Sequence, residues 1–330
     1  MNYIEKEYRS VITRIGISLL FFLLVFNLFS GGAELFSMLM REFDSGSDAV
    51  YIATDLISSV AYLASFILPV PFFYIISQNA KKHPMNLTLS LPSPHSTFKL
   101  GAIVWAGIAI IVPMAYLNSL IFPVSVDTTS ELFGFDFSEP YKLVLSFIST
   151  ALVPAFAEEL LFRGLVVSNI KPYSKSAAVI ISAVAFGFMH QNPAQILYAT
   201  AAGIVFGIVY VETDSIWCCI TLHFVNNFIS IMQSYFFYIL EEESANVLLF
   251  FFDIFLVLGG MICAVVILGS LKKKRVKNNL GVYGVYDNAT SGSYANVNFV
   301  KNGFATPTLI IFLALCAIQC VINGVLINVM

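Results

Sequence analysis

Long runs without Asp, Glu, Lys or Arg alternate with short charged segments along most of the chain. A helix needs about 20 apolar residues to cross a bilayer. Runs near or above that length cover residues 15–33, 56–80, 100–126, 176–211, 215–240, 254–271 and 302–330. The pattern therefore predicts membrane-spanning helices connected by short polar segments.

Two of the apolar stretches need a closer reading. The run 176–211 is too long for one span, and Asn192-Pro193 divides it, because proline is costly inside a helix but suits the first turn of a new one. A further apolar stretch, 141–166, is interrupted by charged residues. The predicted fold is an all-α polytopic transmembrane bundle with eight spans up to residue 271 and a candidate ninth span at 307–330.

The composition supports this class. Of 330 residues, only 37 (17 Lys+Arg and 20 Asp+Glu) carry a formal charge, which is 11% against about 25% in a soluble domain. Hydrophobic residues make up 58% and the mean hydropathy is +0.84. These values exclude a soluble enzyme, a disordered chain and a disulfide-rich secreted module. The net charge of −3 indicates that no nucleic acid is a partner. The apolar composition indicates that the chain is surrounded by the lipid bilayer.

Basic residues cluster before span 1 and after spans 2, 4 and 8, but not in the short loop 212–214 after span 6. Four groups fall on one side of an eight-span bundle, and the opposite loops are mainly acidic. The four groups are Lys6, Arg9 and Arg14; Lys81 and Lys82; Lys171 and Lys175; and the cluster at 272–277. Because cytoplasmic loops carry the excess of Lys and Arg, the sequence predicts a multi-pass cell-membrane protein with a cytoplasmic N-terminus.

The same pattern suggests an organisation into five segments. Residues 278–306 are rich in Asn, Gly, Ser and Tyr and have no helical period, which is typical of a flexible linker. The predicted segments are spans 1–3 at 1–139, a core at 140–240, span 8 with its basic stop at 241–277, the linker at 278–306, and the ninth span at 307–330.

Charged residues in the fourth span need a reason, because each costs about 2.5–3.5 kcal/mol on insertion scales. Glu159 and Arg163 are spaced i, i+4, so they share a helix face and can pair. Glu158 is rotated by about 100° from Glu159 and points elsewhere. A structural ion pair would explain Glu159 and Arg163, but it leaves Glu158 unexplained.

Two of the four histidines also fall in predicted spans. His190 ends the fifth span, and His223 lies in the seventh, where Asn227 follows it by four residues and faces the same partner. A single membrane histidine is often only an interhelical hydrogen-bonding group. Simple depth estimates allow Glu158, His190 and His223 to meet near the middle of the membrane.

Taken in order, these residues resemble a known family. The patterns Glu158-Glu159-x3-Arg163, Phe186-x3-His190 and His223-x3-Asn227 resemble the three motifs of the CPBP intramembrane proteases, the CAAX protease and bacteriocin-processing family. The resemblance covers about 140–230. It implies an endopeptidase in which Glu158 acts with His190 on a water, and in which His223 and Asn227 stabilise the oxyanion. Glu159 and Arg163 would be supporting residues.

The cofactor is left open by the residues. Hydrolysis without a Ser or Cys nucleophile needs an activated water, and a buried carboxylate suits that task. Alternatively, Glu158, His190 and His223 would supply a zinc ion with an N₂O ligand set and an open position. We favour metal-independent activation, because Asn227 is a poor zinc ligand and suits an oxyanion hole.

The sequence leaves the substrate and two other functions open. Within the resemblance, substrates would be peptides or proteins with a prenylated C-terminal tail or a leader peptide. The alternatives are a non-catalytic membrane scaffold or bacteriocin-immunity protein, and a transporter that uses Glu158 and the histidines as a proton relay. Against a transporter, the chain shows no internal inverted repeat.

Overall fold

The computed structural model describes residues 3–44, 47–77, 97–121, 135–278 and 297–329, and all regular structure in them is helical. This confirms the predicted fold class. The helices are α1 (Tyr3–Phe43), α2 (Asp48–Ile67), α3 (Pro69–Ser77), α4 (Thr97–Ile121), α5 (Pro140–Ile170), α6 (Lys175–Met189), α7 (Pro193–Thr213), α8 (Ile216–Ile239), α9 (Glu242–Asn278), α10 (Phe299–Phe304) and α11 (Pro307–Val329).

Eight helical segments of the described chain are long and apolar enough to cross a membrane. The set differs in one detail from the predicted one. Helix α6, the predicted fifth span, has 15 residues and is roughly 22 Å long, which is less than the 30 Å hydrocarbon layer. The C-terminal helix, by contrast, is long and apolar enough at Pro307–Gly324 to be a candidate span.

Helix α5 lies at the centre of the bundle. Its last ten residues, Leu161–Ile170, are all buried, and it contacts α1, α2, α3, α6, α7 and α8. Two π-helical stretches, Phe147–Leu152 and Leu160–Val167, flank the α-helical turns Val153–Glu159. Such stretches often occur at functional sites because they re-aim neighbouring side chains. Here they enclose both glutamates of the first motif.

The turn between α6 and α7 is confirmed at Asn192-Pro193, where the Asn192 side chain caps α7. Gln191 has a left-handed φ of 52° and is 8% exposed. In a bilayer, irregular backbone must find its hydrogen bonds within the protein. The Asn323 amide donates to the Gln191 carbonyl at 2.8 Å, and the Asn118 amide donates to the carbonyl of Ala194. The buried turn is therefore held by two other helices, α4 and α11.

The C-terminal segment packs on α1. Tyr8 donates to the carbonyl of Phe299 at 2.8 Å, and Arg9 donates to the Asn302 side chain at 3.0 Å. Gly16 allows a close approach, since a Cβ there would lie 2.3 Å from the hydroxyl oxygen of Thr308. Residues 299–304, in the last part of the predicted linker, form a helix that docks on α1. Residues 279–296 of that linker lie outside the described residues.

The side of the membrane on which the N-terminus lies stays a prediction. Lys171 forms an ion pair with Asp214, which brings the α5–α6 and α7–α8 connections to one end of the bundle. The basic pair at 81–82 lies outside the described residues.

Candidate active site

The two adjacent glutamates of α5 have different surroundings. Glu159 is fully buried, and its Oε1 atom accepts from Nη1 of Arg163 at 2.8 Å and lies 3.0 Å from Nδ1 of His223. This confirms the predicted pairing of Glu159 with Arg163. Because a carboxylate oxygen accepts, the His223 Nδ1 atom carries the proton in this contact. His223, predicted from another motif, thus belongs to the same buried network.

The charge of Arg163 is compensated on several sides. Besides Glu159, its Nη2 donates to the carbonyl of Gly203 at 3.1 Å. The guanidinium lies between the rings of Phe186 and Phe206, at 4.8 and 5.1 Å from their centroids. Aromatic faces attract a desolvated cation. Together these contacts explain how a fully buried arginine is tolerated.

Glu158 points away from this network, as its rotation on the helix predicted. It is 3% exposed, and its Oε1 accepts a hydrogen bond of 2.5 Å from the Tyr62 hydroxyl on α2. Its Oε2 is buried and has no hydrogen-bond partner among the described residues. A buried oxygen of this kind requires a partner. Glu158 therefore presents one anchored and one free oxygen.

His190 lies at the C-terminal end of α6, next to the buried turn. Its Nδ1 atom is 2.8 Å from the carbonyl of Phe186, and since a carbonyl only accepts, Nδ1 is the protonated nitrogen. The lone pair of neutral His190 therefore resides on Nε2. The His190 and His223 rings both pack on Phe186, with centroid separations of 5.1 and 5.9 Å.

His223 and Asn227 both face α5, as their spacing predicted, but they contact different residues of it. His223 contacts Glu159, whereas the Asn227 amide donates to the carbonyl of Thr150 at 3.1 Å. Thr150 belongs to the first π-helical stretch. In the part of the chain that the structure describes, His190 makes no direct hydrogen bond to Glu158, His223 or Asn227. The hydrogen bonds thus form three separate groups, which contain Glu158, Glu159 with His223, and Asn227, and Phe186 connects His190 to the group of Glu159 and His223.

Two residues near the site were not predicted from the sequence. Tyr62 is one of 15 tyrosines and lies within an apolar run, so only the packing of α2 on α5 reveals its role. Asn226 accepts from the Tyr198 hydroxyl at 2.8 Å and donates to the Asn227 side chain at 3.1 Å. Its position beside the third motif was its only cue.

The donor set does not fit the alternative zinc site. Across the described ranges, no three His, Cys, Asp or Glu side chains are grouped closely enough to hold a metal ion. The known contacts of the three predicted ligands leave Oε2 of Glu158 and Nε2 of His190 and His223 as possible donors, but these side chains are not grouped around one point in the described residues.

Comparison with known proteins adds the family. Residues 140–229 match the family model described as type II CAAX prenyl endopeptidase Rce1-like. Residues 140–229 are therefore similar to this family, and this segment is named the Rce1-like domain. It includes all six candidate residues and agrees with the extent of the resemblance in the sequence. With eight candidate spans, the chain is a multi-pass membrane protein.

One curated relative supports the same assignment. Over 93 residues the chain is 34% identical to the protein named "Putative membrane peptidase YdiL" of Bacillus subtilis (strain 168). The match covers 27% of this chain and 37% of that protein, so the chain spans little more than a third of the relative. No solved structure matches the chain at comparable significance. Tyr62, α9 and α11 lie outside the Rce1-like domain.

Proposed function

We propose that the chain is a membrane-embedded endopeptidase that hydrolyses a peptide bond of a membrane-associated or lipidated substrate. The observation that supports this most directly is the buried Glu158 carboxylate, whose Oε1 is anchored by the neutral Tyr62 hydroxyl and whose Oε2 has no hydrogen-bond partner among the described residues. A carboxylate held in this way can accept a proton from a water and return it to the leaving amine.

In the proposed reaction, Glu158 removes one proton from the water as the oxygen attacks the substrate carbonyl. His190 accepts a hydrogen bond through Nε2 from the O–H that the water keeps, because its Nδ1 is engaged by the Phe186 carbonyl. Tyr62 keeps the Glu158 carboxylate in one orientation through its bond to Oε1. The proton on Glu158 then passes to the amine nitrogen as the C–N bond breaks.

The negative oxygen that develops in this step needs donors. We assign that role to the second amide hydrogen of Asn227 and to Nε2–H of a protonated His223, whose Nδ1–H is held by Glu159. Glu159 would supply the charge that balances the imidazolium, and Arg163 would fix Glu159. Loss of one such donor typically lowers kcat by 10²–10³.

The substrate class follows from the family match. A prenylated CAAX-type C-terminal tail is the first candidate, and an unlipidated leader peptide is the second. Both present a short peptide close to the membrane, which suits a site buried among spans. The proposal differs from a scaffold or immunity role in requiring Glu158 for turnover.

The test uses full-length protein purified in lipid nanodiscs. A farnesylated CAAX-type peptide and a set of unlipidated leader-type peptides are incubated with wild type and with Glu158→Gln, and the products are identified by mass spectrometry. We expect cleavage by wild type and a loss of at least about 100-fold in Glu158→Gln. Glu42→Gln, an exposed residue on α1, is the matched control.

A second arm repeats the assay with metal chelators and measures bound metal. The proposed reaction predicts full activity after chelation. Cleavage that is unchanged in Glu158→Gln, or no cleavage of any peptide by well-folded wild type, would contradict the proposal and favour a non-catalytic role.

A further inference from the structure

A second polar centre lies in a cavity of about 450 Å³ between α4, α7, α8 and α9. None of the six candidate residues lines it, and its α4 and α9 walls lie outside the Rce1-like domain. Its polar side chains are Tyr116, Ser119, Tyr198, Asn226, Ser230, Gln233, Asn246 and Asp253. Four of these side chains, Tyr116, Ser119, Ser230 and Asn246, are exposed, so the cavity is open on one side, but such a group of polar side chains among apolar spans requires an explanation.

The centre of the cavity is a buried carboxylate. Asp253 is 5% exposed and lies roughly 16 Å along α9 from its start at Glu242. Its Oδ2 accepts from the Tyr116 hydroxyl at 2.6 Å, and its Oδ1 accepts from the Gln233 amide at 3.1 Å. Three helices therefore fix the position of the carboxylate.

No positive charge accompanies this carboxylate. Among the described residues that line the cavity there is no Lys, Arg or His. Glu159 provides the contrast within the same protein, because it is paired with Arg163 and His223. Neutral donors satisfy the lone pairs of Asp253 only in part, and a buried charge is normally paired with an opposite charge.

The remaining walls fit the stem of a long cationic side chain. They are apolar and come from Ile108, Ile111, Val112, Ile229 and Leu249. Lys and Arg bury their methylene stems along apolar surface while the charged end seeks an anion. The cavity is reachable from outside the bundle, since Tyr116 is 52% exposed. A ligand could therefore enter with its charged end directed to Asp253.

The cavity also adjoins the candidate active site. Asn226 lines it, accepts from Tyr198 and donates to the Asn227 side chain. Asn227 is the residue to which we assigned an oxyanion contact. The cavity that Asp253 lines is thus also lined by the immediate hydrogen-bonding neighbour of Asn227.

We propose that this cavity is a subsite for a cationic side chain, Lys or Arg, of the peptide substrate, with Asp253 as the residue that recognises its charge. The inference rests on the proposed peptidase function, which supplies the peptide. It adds a specificity that the family match does not assign, namely a basic residue near the cleaved bond.

The first experiment measures binding without catalysis. Benzamidinium and its neutral isostere benzamide are titrated into full-length protein in nanodiscs, with ligand contact followed by saturation-transfer NMR. We expect benzamidinium to bind wild type and Asp253→Glu, and its Kd to rise roughly 30-fold in Asp253→Asn. Benzamide should bind weakly to all of them. Asp44→Asn, an exposed residue after α1, is the charge-matched control.

The second experiment measures cleavage preference in a defined mixture of peptides that carry either Lys or norleucine at each position. We expect one position at which wild type prefers Lys, and a fall of roughly 30-fold in that preference for Asp253→Asn. The variant Tyr116→Phe removes a hydrogen bond in the cavity but keeps the Asp253 carboxylate, so it should keep most of the preference for Lys. It therefore controls for misfolding of the cavity in Asp253→Asn.

The two experiments separate this inference from the proposed function. Glu158-dependent cleavage without any Lys preference, together with equal benzamidinium binding by wild type and Asp253→Asn, would overturn the subsite and leave the peptidase intact. Asp253-dependent benzamidinium binding without cleavage of any peptide would support the cation site and contradict the peptidase.

Discussion

The hydroxyl of Tyr62 on α2 donates a hydrogen bond to Oε1 of Glu158 on α5, and the other oxygen, Oε2, has no hydrogen-bond partner in the part of the chain that the structure describes. The donor comes from outside the Rce1-like domain, whereas the acceptor belongs to its first motif. The N-terminal spans therefore contribute to the candidate active site and do more than surround it.

Replacing Tyr62 by Phe removes this donor and keeps the ring. We expect kcat for peptide hydrolysis to fall about tenfold with KM nearly unchanged, because the carboxylate loses its fixed orientation while the substrate contacts remain. Steady-state kinetics with a cleaved peptide is the measurement. Tyr74→Phe, an exposed tyrosine on α3, serves as the control. If KM rose and kcat did not change, Tyr62 would contact the substrate and would not orient Glu158.

Removing one partner of the buried ion pair should be costly. Arg163→Met leaves Glu159 buried with only His223 beside it, and we expect the free energy of unfolding to fall by about 3–5 kcal/mol. The exposed pair of Lys171 and Asp214 is the natural comparison, since Lys171→Met should cost only about 0–1 kcal/mol. Equilibrium unfolding in mixed micelles measures both. Equal losses in the two variants would contradict the role of burial.

Asn323 on α11 supports the turn that follows His190. Asn323→Ala leaves the Gln191 carbonyl without its donor, and we expect a loss of about 1–3 kcal/mol of stability together with lower peptidase activity. Nitrogen NMR of histidine-labelled protein should show a shift of the His190 signals, and the chain has only four histidines to assign. Ile322→Ala, an exposed neighbour, should change neither. Unchanged His190 signals would show that Asn323 on α11 does not influence the position of His190.

Gly187 on α6 allows α7 to approach closely. A Cβ at this position would lie 1.9 Å from the Thr200 hydroxyl oxygen and 2.9 Å from the backbone carbonyl oxygen of Ile196. Because backbone cannot move aside cheaply, we expect Gly187→Ala to destabilise the protein by about 1–3 kcal/mol. Gly101→Ala on α4 has open space around its Cβ and should leave stability unchanged or slightly raised. Thermal unfolding of both variants measures the difference.

The sequence by itself determined those features that depend on one helix at a time. Hydropathy predicted the spans, Asn192-Pro193 predicted the break between α6 and α7, and the i, i+4 spacing predicted the pairing of Glu159 with Arg163. Each of these follows from local periodicity or from the missing N–H of proline. The family was indicated by a resemblance, since the three motifs occur in the same order as in the CPBP intramembrane proteases.

Only the tertiary structure decided which helices are neighbours. In the sequence, Asp253 only marks the start of the charge-free run 254–271. In the structure, α9 continues through this charged residue and places Asp253 in a cavity that α4, α7 and α8 also line. The sequence likewise offers no reason for Tyr62 to meet Glu158 or for Asn323 to meet Gln191. In lipid, apolar faces do not select partners by hydrophobicity, so close packing and interhelical hydrogen bonds make that choice.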